Sequence, residues 1–246
     1  MDHREYIRTV PGSRMAVLMI HGIAGTPAHF RQFEPLIPQD WSVYNILLDG
    51  HGKEVEDFSA TSMKKWRSQV SVTLEELLSR HEKVLIVAHS MGTLFAIRAA
   101  VDHPDRIPLL FLLSVPTRPW VRFSTWLTCL RVAFGAEDPA ATAMRNDTSI
   151  RLHRKLWRYI GWVPRLLELL AEIRQVRKLL PRLEVPCLTF QSHTDELVSA
   201  RSCKDLENHP WIHNTVLHGS GHFAYGPEDS ALLRSRLAEM IEKIIP

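Results

Sequence analysis

The segment from Lys83 to Ala100 constrains the fold of this chain more than any other. Its first part, residues 84–88, is a continuous apolar run with three β-branched residues, and a helix-forming run begins at Thr93. Four residues separate the two runs, and they include the small residues Ser90 and Gly92. That order predicts a buried strand, a very tight turn and a helix. We take this strand–turn–helix unit as the element around which the rest of the chain is organised.

Ser90 stands at the apex of the turn, with Ala88 two residues before it and Gly92 two residues after it. Such a turn closes only if both flanking residues are small, because the strand and the helix nearly touch there. The serine hydroxyl is then pushed into the open, which is the context that a nucleophile elbow requires. The alternative is a buried strand followed by a serine that only caps the next helix. The pentapeptide alone leaves both interpretations open.

Strand and helix patterns alternate along most of the chain. Apolar runs predict strands at residues 15–20, 41–48, 109–115, 186–191 and 215–218. Helical spacing or helix-start residues predict helices at residues 28–37, 61–80, 199–208 and 226–245. Residues 53–60 are expected to form a loop. Continuous apolar strands that alternate with helices indicate an α/β fold, with a mostly parallel sheet covered by helices on both faces.

Residues 117–182, called the insert below, interrupt this alternation. They show no strand pattern, and helices are expected at about 120–134, 150–160 and 164–180. The insert holds four of the seven tryptophans and 13 Lys and Arg against 5 Asp and Glu, whereas the remainder is mildly acidic. The sequence therefore predicts a core domain formed by residues 1–116 and 183–246, with a helical insert at 117–182.

The 246 residues suffice for one large domain with a well-buried core. No apolar run is long enough to cross a bilayer, and the first residues lack the apolar segment of a secretory signal. Cys129, Cys187 and Cys203 are too few for a disulfide framework and lack metal-ligand spacing, so we expect packing residues in a cytoplasmic protein. The sequence implies no metal or organic cofactor, and the charge outside the insert disfavours nucleic acid as a partner.

A serine hydroxyl is a poor nucleophile until a base takes its proton and a third group orients that base. In open parallel sheets such groups lie in loops at the carboxyl ends of strands. Asp195 follows the strand at 186–191 and is our candidate for the orienting carboxylate, although Glu196 is a close rival and a turn role is the alternative. His222 lies past a Gly-Ser-Gly bend after the last strand, whereas His218 ends that strand and is expected to be structural.

The order of Ser90, Asp195 and His222 is the one associated with this elbow. With it, the chain resembles the α/β-hydrolases, and within them bacterial carboxylesterases and monoacylglycerol-lipase-like serine hydrolases. The resemblance covers almost the whole chain, places the insert where that family has a helical cap, and implies a nucleophile, acid and base at these three positions. Three further motifs carry it: His21-Gly22-Ile23-Ala24-Gly25, Ala88-His89-Ser90-Met91-Gly92 and Gly221-His222.

A tetrahedral intermediate needs hydrogen-bond donors for its oxyanion. The residue after the nucleophile, Met91, is expected to supply one backbone N–H, and the resemblance implies that Ile23 supplies the second. Ala88 departs from the usual glycine at the first position of Gly-x-Ser-x-Gly but is still small. His21 and His89 are expected to hold the loops through hydrogen bonds.

The expected function is hydrolysis of carboxylic esters through an acyl-enzyme on Ser90, with medium-chain acyl esters or monoacylglycerols as small-molecule substrates. The aromatic insert suits an acyl chain. Its basic excess suits an anionic substrate, a membrane surface or a solvated face. Two alternatives stay open. One is other chemistry on this scaffold (amide or carbon–carbon cleavage, or acyl transfer), and the other is a non-catalytic ligand-binding protein.

Overall fold

The structure is a computed structural model that describes residues 3–244. Within that range seven strands form one sheet in the order β1-β3-β2-β4-β5-β6-β7. Six of them run parallel, and only β1 is antiparallel, to its neighbour β3. The strands are β1 (Tyr6–Arg8), β2 (Met15–Ile20), β3 (Ser42–Ile46), β4 (Lys83–His89), β5 (Leu110–Leu113), β6 (Cys187–Ser192) and β7 (Ile212–Leu217).

Hydrophobic residues bury both faces of the sheet. In β2, Leu18 and Ile20 contribute to one cluster, and Val17 and Met19 contribute to the other, as the alternation of a strand requires. The first cluster also contains side chains of the helices at residues 63–80, 91–102 and 162–179, and the second contains those of the C-terminal helix. The predicted α/β fold with helices on both faces is therefore confirmed.

The helices agree with the sequence in most places. They are α1 (Val55–Ala60), α2 (Met63–Arg80), α3 (Met91–Asp102), α4 (Phe123–Ala133), α5 (Pro139–Asp147), α6 (Trp162–Leu179), α7 (Cys203–Leu206) and α8 (Pro227–Ile244). The helix expected at 199–208 is shorter, with a 3-10 turn at Ala200–Ser202 before α7. A short helix, α1, stands where a loop was expected at 53–60.

Two helix predictions were wrong. Residues 28–37 form 3-10 turns at Pro27–Phe30 and Glu34–Leu36, because Pro35 lacks the N–H that a continuous α-helix needs there. The helix expected at 150–160 is only a 3-10 segment at Leu156–Gly161. The insert also contains α5, which was not predicted. Just before it, the Oδ1 atom of Asp138 accepts a hydrogen bond from the N–H of Ala141 over 3.2 Å.

The edge strand β1 was not predicted, because three residues with no apolar alternation give no strand signal. It pairs with β3 in the register Ile7 to Tyr44. Pairing with a longer, buried neighbour stabilises a segment that has little strand propensity of its own.

The insert lies between β5 and β6. Its last helix, α6, packs on the core, and the buried carboxylate of Glu172 contacts Arg98 of α3 at 2.8 Å and Arg67 of α2 at 3.4 Å. The N–H of Met63 donates to Glu168 of the same helix over 2.8 Å. By contrast α4 leaves several large apolar side chains exposed. The division into a core and a cap stays a prediction.

Between residues 3 and 244, no helix combines the length and the apolar character that a membrane span requires. The same part of the chain contains no group of three His, Cys, Asp or Glu side chains arranged to hold a metal ion. The three cysteines are free thiols, and burial raises the pKa of the Cys187 thiol.

Candidate active site

Ser90 lies in a strained turn between β4 and α3. Its φ of +50° and ψ of −123° belong to a conformation that residues with a side chain rarely adopt. A Cβ atom at Gly92 would overlap the carbonyl oxygen of Ile20, and Ala88 is fully buried between neighbouring elements. Small residues at these two positions therefore let α3 begin directly beneath β2, which holds the serine at the carboxyl end of the central strand.

The structure brings together the three residues that the sequence singled out. The Nε2 atom of His222 lies 3.1 Å from the Oγ atom of Ser90. The Nδ1 atom of the same ring lies 2.8 Å from Oδ2 and 3.0 Å from Oδ1 of Asp195. All three residues are buried, with Ser90 only 4% exposed. This continuous chain from hydroxyl to imidazole to carboxylate has the geometry of a nucleophile, a base and an orienting acid.

Backbone donors hold the carboxylate of Asp195 in place. Its Oδ1 atom accepts hydrogen bonds from the N–H groups of Leu197 at 2.7 Å and Val198 at 2.8 Å. Burial alone would raise the pKa of Asp195, but the charge and hydrogen bonds of His222, together with the two N–H donors, lower the pKa below its ordinary value. The carboxylate is therefore ionised at neutral pH and can stabilise an imidazolium.

Two side chains bind the backbone of His222 rather than its ring. The Oε2 atom of Glu196 accepts a hydrogen bond from the N–H of His222 over 2.8 Å, and the Nε2 atom of His89 lies 2.8 Å from the carbonyl oxygen of His222. The rivalry between Asp195 and Glu196 is thereby resolved in geometric terms. The first contacts the ring, and the second fixes the loop that carries it.

The turn before His222 is also fixed by side chains. The hydroxyl of Thr194 donates to the carbonyl oxygen of Ser220 over 2.7 Å, and the hydroxyl of Ser220 donates to Asp229 over 2.6 Å. The bend after β7 is therefore held between the loop after β6 and the start of α8. His218 is exposed beside this bend.

The two predicted oxyanion donors lie in the segments next to Ser90. Met91 is the first residue of α3, so its N–H has no partner within the helix. Ile23 follows Gly22, which packs so closely on the serine that a Cβ atom at Gly22 would lie 2.7 Å from the Cβ atom of Ser90. The loop at 22–25 is closed by a hydrogen bond of 3.0 Å from the N–H of Gly25 to the carbonyl of Gly22.

His21 and His89 are bound to the backbone, as expected for structural histidines. The Nε2 atom of His21 accepts a hydrogen bond from the N–H of Leu48 over 3.0 Å, which ties the end of β2 to the segment after β3. Burial, with smaller effects of nearby histidines, lowers the pKa of both rings well below the ordinary value. Both are therefore neutral at physiological pH and poorly suited to proton transfer there.

A cavity of about 330 Å³ opens beside His222. Residues of α4 and α5 form one side, and the loops after β6 and β7 form the other. Asp147, Glu196 and Thr125 are among the residues that line this cavity. Sequence reasoning missed Asp147 and Thr125, because both lie on helices of the insert and no local pattern connects them with Ser90.

Comparisons with known proteins agree with this architecture. The model of the Hydrolase_4 family (serine aminopeptidase, S33) matches residues 11–210. A thermostable monoacylglycerol lipase from Bacillus sp. (strain H-257) is 30% identical over 92 residues, which is 37% of this chain and 37% of that protein. The matched stretch thus spans little more than a third of the relative's length.

Two solved structures share the fold over nearly their whole length. One comes from a study of LipS and LipT, two metagenome-derived lipolytic enzymes, with a TM-score of 0.75, 21% identity and 98% of each chain covered. The other is a monoacylglycerol lipase of Paleococcus ferrophilus, with a TM-score of 0.68, 19% identity and 99% of each chain covered. With the fold and the family match in agreement, this chain belongs to the Hydrolase_4 family of α/β-hydrolases.

Proposed function

We propose that this protein is a serine hydrolase that cleaves carboxylic esters through an acyl-enzyme on Ser90. The observation that carries the proposal is the chain of contacts from Ser90 through His222 to Asp195, with 3.1 Å and 2.8 Å between the bonded atoms. Membership of the family and the partial match to a Bacillus monoacylglycerol lipase support ester chemistry.

In the first half of the proposed reaction the Oγ atom of Ser90 attacks the ester carbonyl while Nε2 of His222 takes its proton. The N–H groups of Met91 and Ile23 stabilise the oxyanion that forms. Collapse of the tetrahedral intermediate breaks the bond to the alcohol oxygen, which receives the proton from His222. In the second half, water attacks the acyl carbon while Nε2 of His222 takes its proton. Collapse of the intermediate returns that proton to the Oγ atom of Ser90 as the acid leaves.

For the acyl part we propose an apolar chain of medium length, as in simple acyl esters and monoacylglycerols. The support is the insert, whose large apolar residues are unusually exposed. Phe123, Leu127 and Leu130 recur at helical spacing on one side of α4, and Phe134 follows directly after its end. Phe123 is 77% exposed. An apolar surface close to the site can bind hydrocarbon, and nothing similar favours a sugar or a nucleotide.

The experiment that tests this function is hydrolysis of nitrophenyl esters with acyl chains of increasing length, run with wild type, Ser90→Ala and Ser114→Ala. Ser114 is a matched control, because it is also buried with a positive φ but lies at the end of β5. We expect turnover by wild type and Ser114→Ala, and a loss of about 10⁴-fold or more in kcat for Ser90→Ala. Equal activity of the two serine variants would overturn the proposal.

The alternatives are separated by two further measurements. Faster turnover of anilides than of the matched esters would indicate amide chemistry, and a rate that depends on an added alcohol would indicate acyl transfer. A folded protein that turns over no ester and takes up no fluorophosphonate at Ser90 would instead indicate a ligand-binding protein on this fold.

We also propose that the apolar side of α4 touches membrane surfaces. The insert combines this exposed face with 13 Lys and Arg against 5 Asp and Glu, so anionic lipid would attract it. Sedimentation with phosphatidylglycerol vesicles, but not with phosphatidylcholine vesicles, is expected. Leu127→Asp should abolish it, whereas Val72→Asp on the exposed side of α2 should not. Equal binding of both variants would contradict this contact.

A further inference from the structure

His222, the residue that protonates the leaving alcohol in the proposed reaction, lines the cavity. In the proposed reaction His222 passes its proton to the departing oxygen, so the alcohol part of an ester has to sit next to this ring. The cavity is lined by His222 itself and by the neighbouring Phe223, whose ring centroid lies 4.6 Å from that of His222. Its volume of about 330 Å³ suits a small group.

The wall of this cavity is acidic. Asp147, at the end of α5, and Glu196 both line it, and among the described residues neither forms an ion pair with a lysine or arginine. No lysine or arginine is among the described residues that line the cavity. The nearby ring of His29, whose Nε2 lies 2.9 Å from the carbonyl of Asp147, has a pKa lowered to about 4 by burial, so it adds no positive charge at pH 7.

The two carboxylates also affect each other. Burial, and then the negative charge of Glu196, raises the pKa of Asp147. A cation bound between them would relieve both effects, because it replaces lost hydration and offsets the like-charge repulsion.

Thr125 is a third polar residue of this wall. Thr125 of α4 is only 9% exposed, and its hydroxyl oxygen has no hydrogen-bond partner in the part of the chain that the structure describes. A buried hydroxyl without a partner is costly, so a ligand group that bonds to it gains affinity. The N–H of a protonated amine can donate either to this oxygen or to a carboxylate, and its positive charge attracts both carboxylates in either case.

We propose that Asp147, Glu196 and Thr125 form a subsite for the alcohol part of the substrate and that this subsite selects an alcohol that carries an ammonium group. The inference rests on the proposed ester hydrolysis and deepens it, since it concerns only the leaving group. Hydrolysis of such an ester releases the carboxylic acid and the amino alcohol, whose oxygen takes its proton from His222. The acyl chain lies on the other side of the scissile bond.

The test compares two esters of the same shape that differ in charge, 2-(dimethylamino)ethyl butyrate, which is protonated at pH 7, and 3-methylbutyl butyrate. We expect kcat/KM to be at least about tenfold higher for the charged ester. Asp147→Asn should lower this ratio at least threefold. Glu137→Gln is the matched control, because it removes one negative charge from an exposed position of the insert and should leave the ratio unchanged.

Two kinds of result would overturn the proposed subsite while leaving the proposed ester hydrolysis intact. A ratio near one in wild type, or a ratio that Asp147→Asn does not change, shows that the cavity does not recognise charge. A higher kcat/KM for glyceryl monobutyrate than for the charged ester shows that it recognises hydroxyl groups instead.

Failure of the proposed function has a different signature, in which no ester of any kind is turned over. The subsite is then decided by NMR titration of 2-(dimethylamino)ethanol into wild type and Asp147→Asn. Binding at least threefold tighter to wild type supports the subsite, and equal binding overturns it.

Discussion

The backbone N–H of His222 donates to the Oε2 atom of Glu196 over 2.8 Å, while the ring of the same histidine contacts the residue just before that glutamate, Asp195. Two adjacent carboxylates thus act on one histidine in two ways. Asp195 fixes the tautomer of the ring, and Glu196 fixes the position of the main chain. We expect substitutions at the two positions to have different effects on activity, which separates the two roles.

We expect Asp195→Asn to lower kcat by about 10⁴-fold, because an amide in this position favours the wrong tautomer of His222. Glu196→Gln should cost less than about tenfold, since the amide oxygen still accepts the backbone N–H. Steady-state hydrolysis of a nitrophenyl ester measures both, and circular dichroism checks that the variants are folded. A larger loss for Glu196→Gln than for Asp195→Asn would show that the roles are reversed.

Gly92→Ala should prevent stable folding or lower the free energy of unfolding by more than about 4 kcal/mol. Its new Cβ atom would overlap the carbonyl of Ile20 and lie 2.8 Å from that of His21, so α3 would have to move away from β2. Gly12→Ala is the control. Gly12 has a φ of +74° but no heavy atom within 4 Å of a new Cβ atom, so only the backbone strain of about 1 kcal/mol is expected.

Urea denaturation of the two glycine variants gives the comparison. If both lost the same small amount of stability, the close contact between α3 and β2 would not limit the residue at position 92.

Glu172→Ala should lower the free energy of unfolding by about 3 kcal/mol. Glu172 is 3% exposed and is the shared partner of Arg67 and Arg98, so its loss separates α6 from α2 and α3. The matched change is Glu82→Ala, which removes an exposed partner of Arg14 at 2.7 Å and should have no measurable effect. Urea midpoints test the pair, and equal midpoints would mean that α6 is not anchored through this carboxylate.

Stability should fall as the pH drops from 6.5 towards 4. Burial lowers the pKa of His51 to about 4, so between these values the unfolded chain binds a proton that the folded chain does not. The stabilisation is fully present above pH 6.5 and is lost progressively below it, by up to about 3 kcal/mol for this one ring. His21 and His89 are lowered for the same reason and act in the same direction.

The check is urea denaturation at several pH values for wild type and His51→Phe, which keeps an aromatic ring in contact with Phe58 and Trp66. The variant should show a shallower loss of stability between pH 6.5 and 4. Parallel slopes for the two proteins would contradict the role of His51.

The sequence by itself determined the central unit and the three residues around it. Ser90 was identifiable because the requirements of the elbow lie within a few residues of it. They are an apolar strand, a helix, and small side chains at positions 88 and 92 between them. Asp195 and His222 became candidates because parallel strands bring their carboxyl ends to one edge, although position alone left Glu196 as a rival to Asp195. The continuous apolar strands predicted the two-sided core for a similar reason.

Only the tertiary structure decided what depends on distant contacts. The role of Glu196 follows from a hydrogen bond to a residue 26 positions away, and the link between His29 and Asp147 spans 118 positions. The cavity beside His222 arises where the insert meets the core loops. β1 was decided by its pairing with β3, which overrides weak local propensity. Local patterns carry short-range preferences, whereas the cavity wall is assembled from segments that meet only in the folded chain.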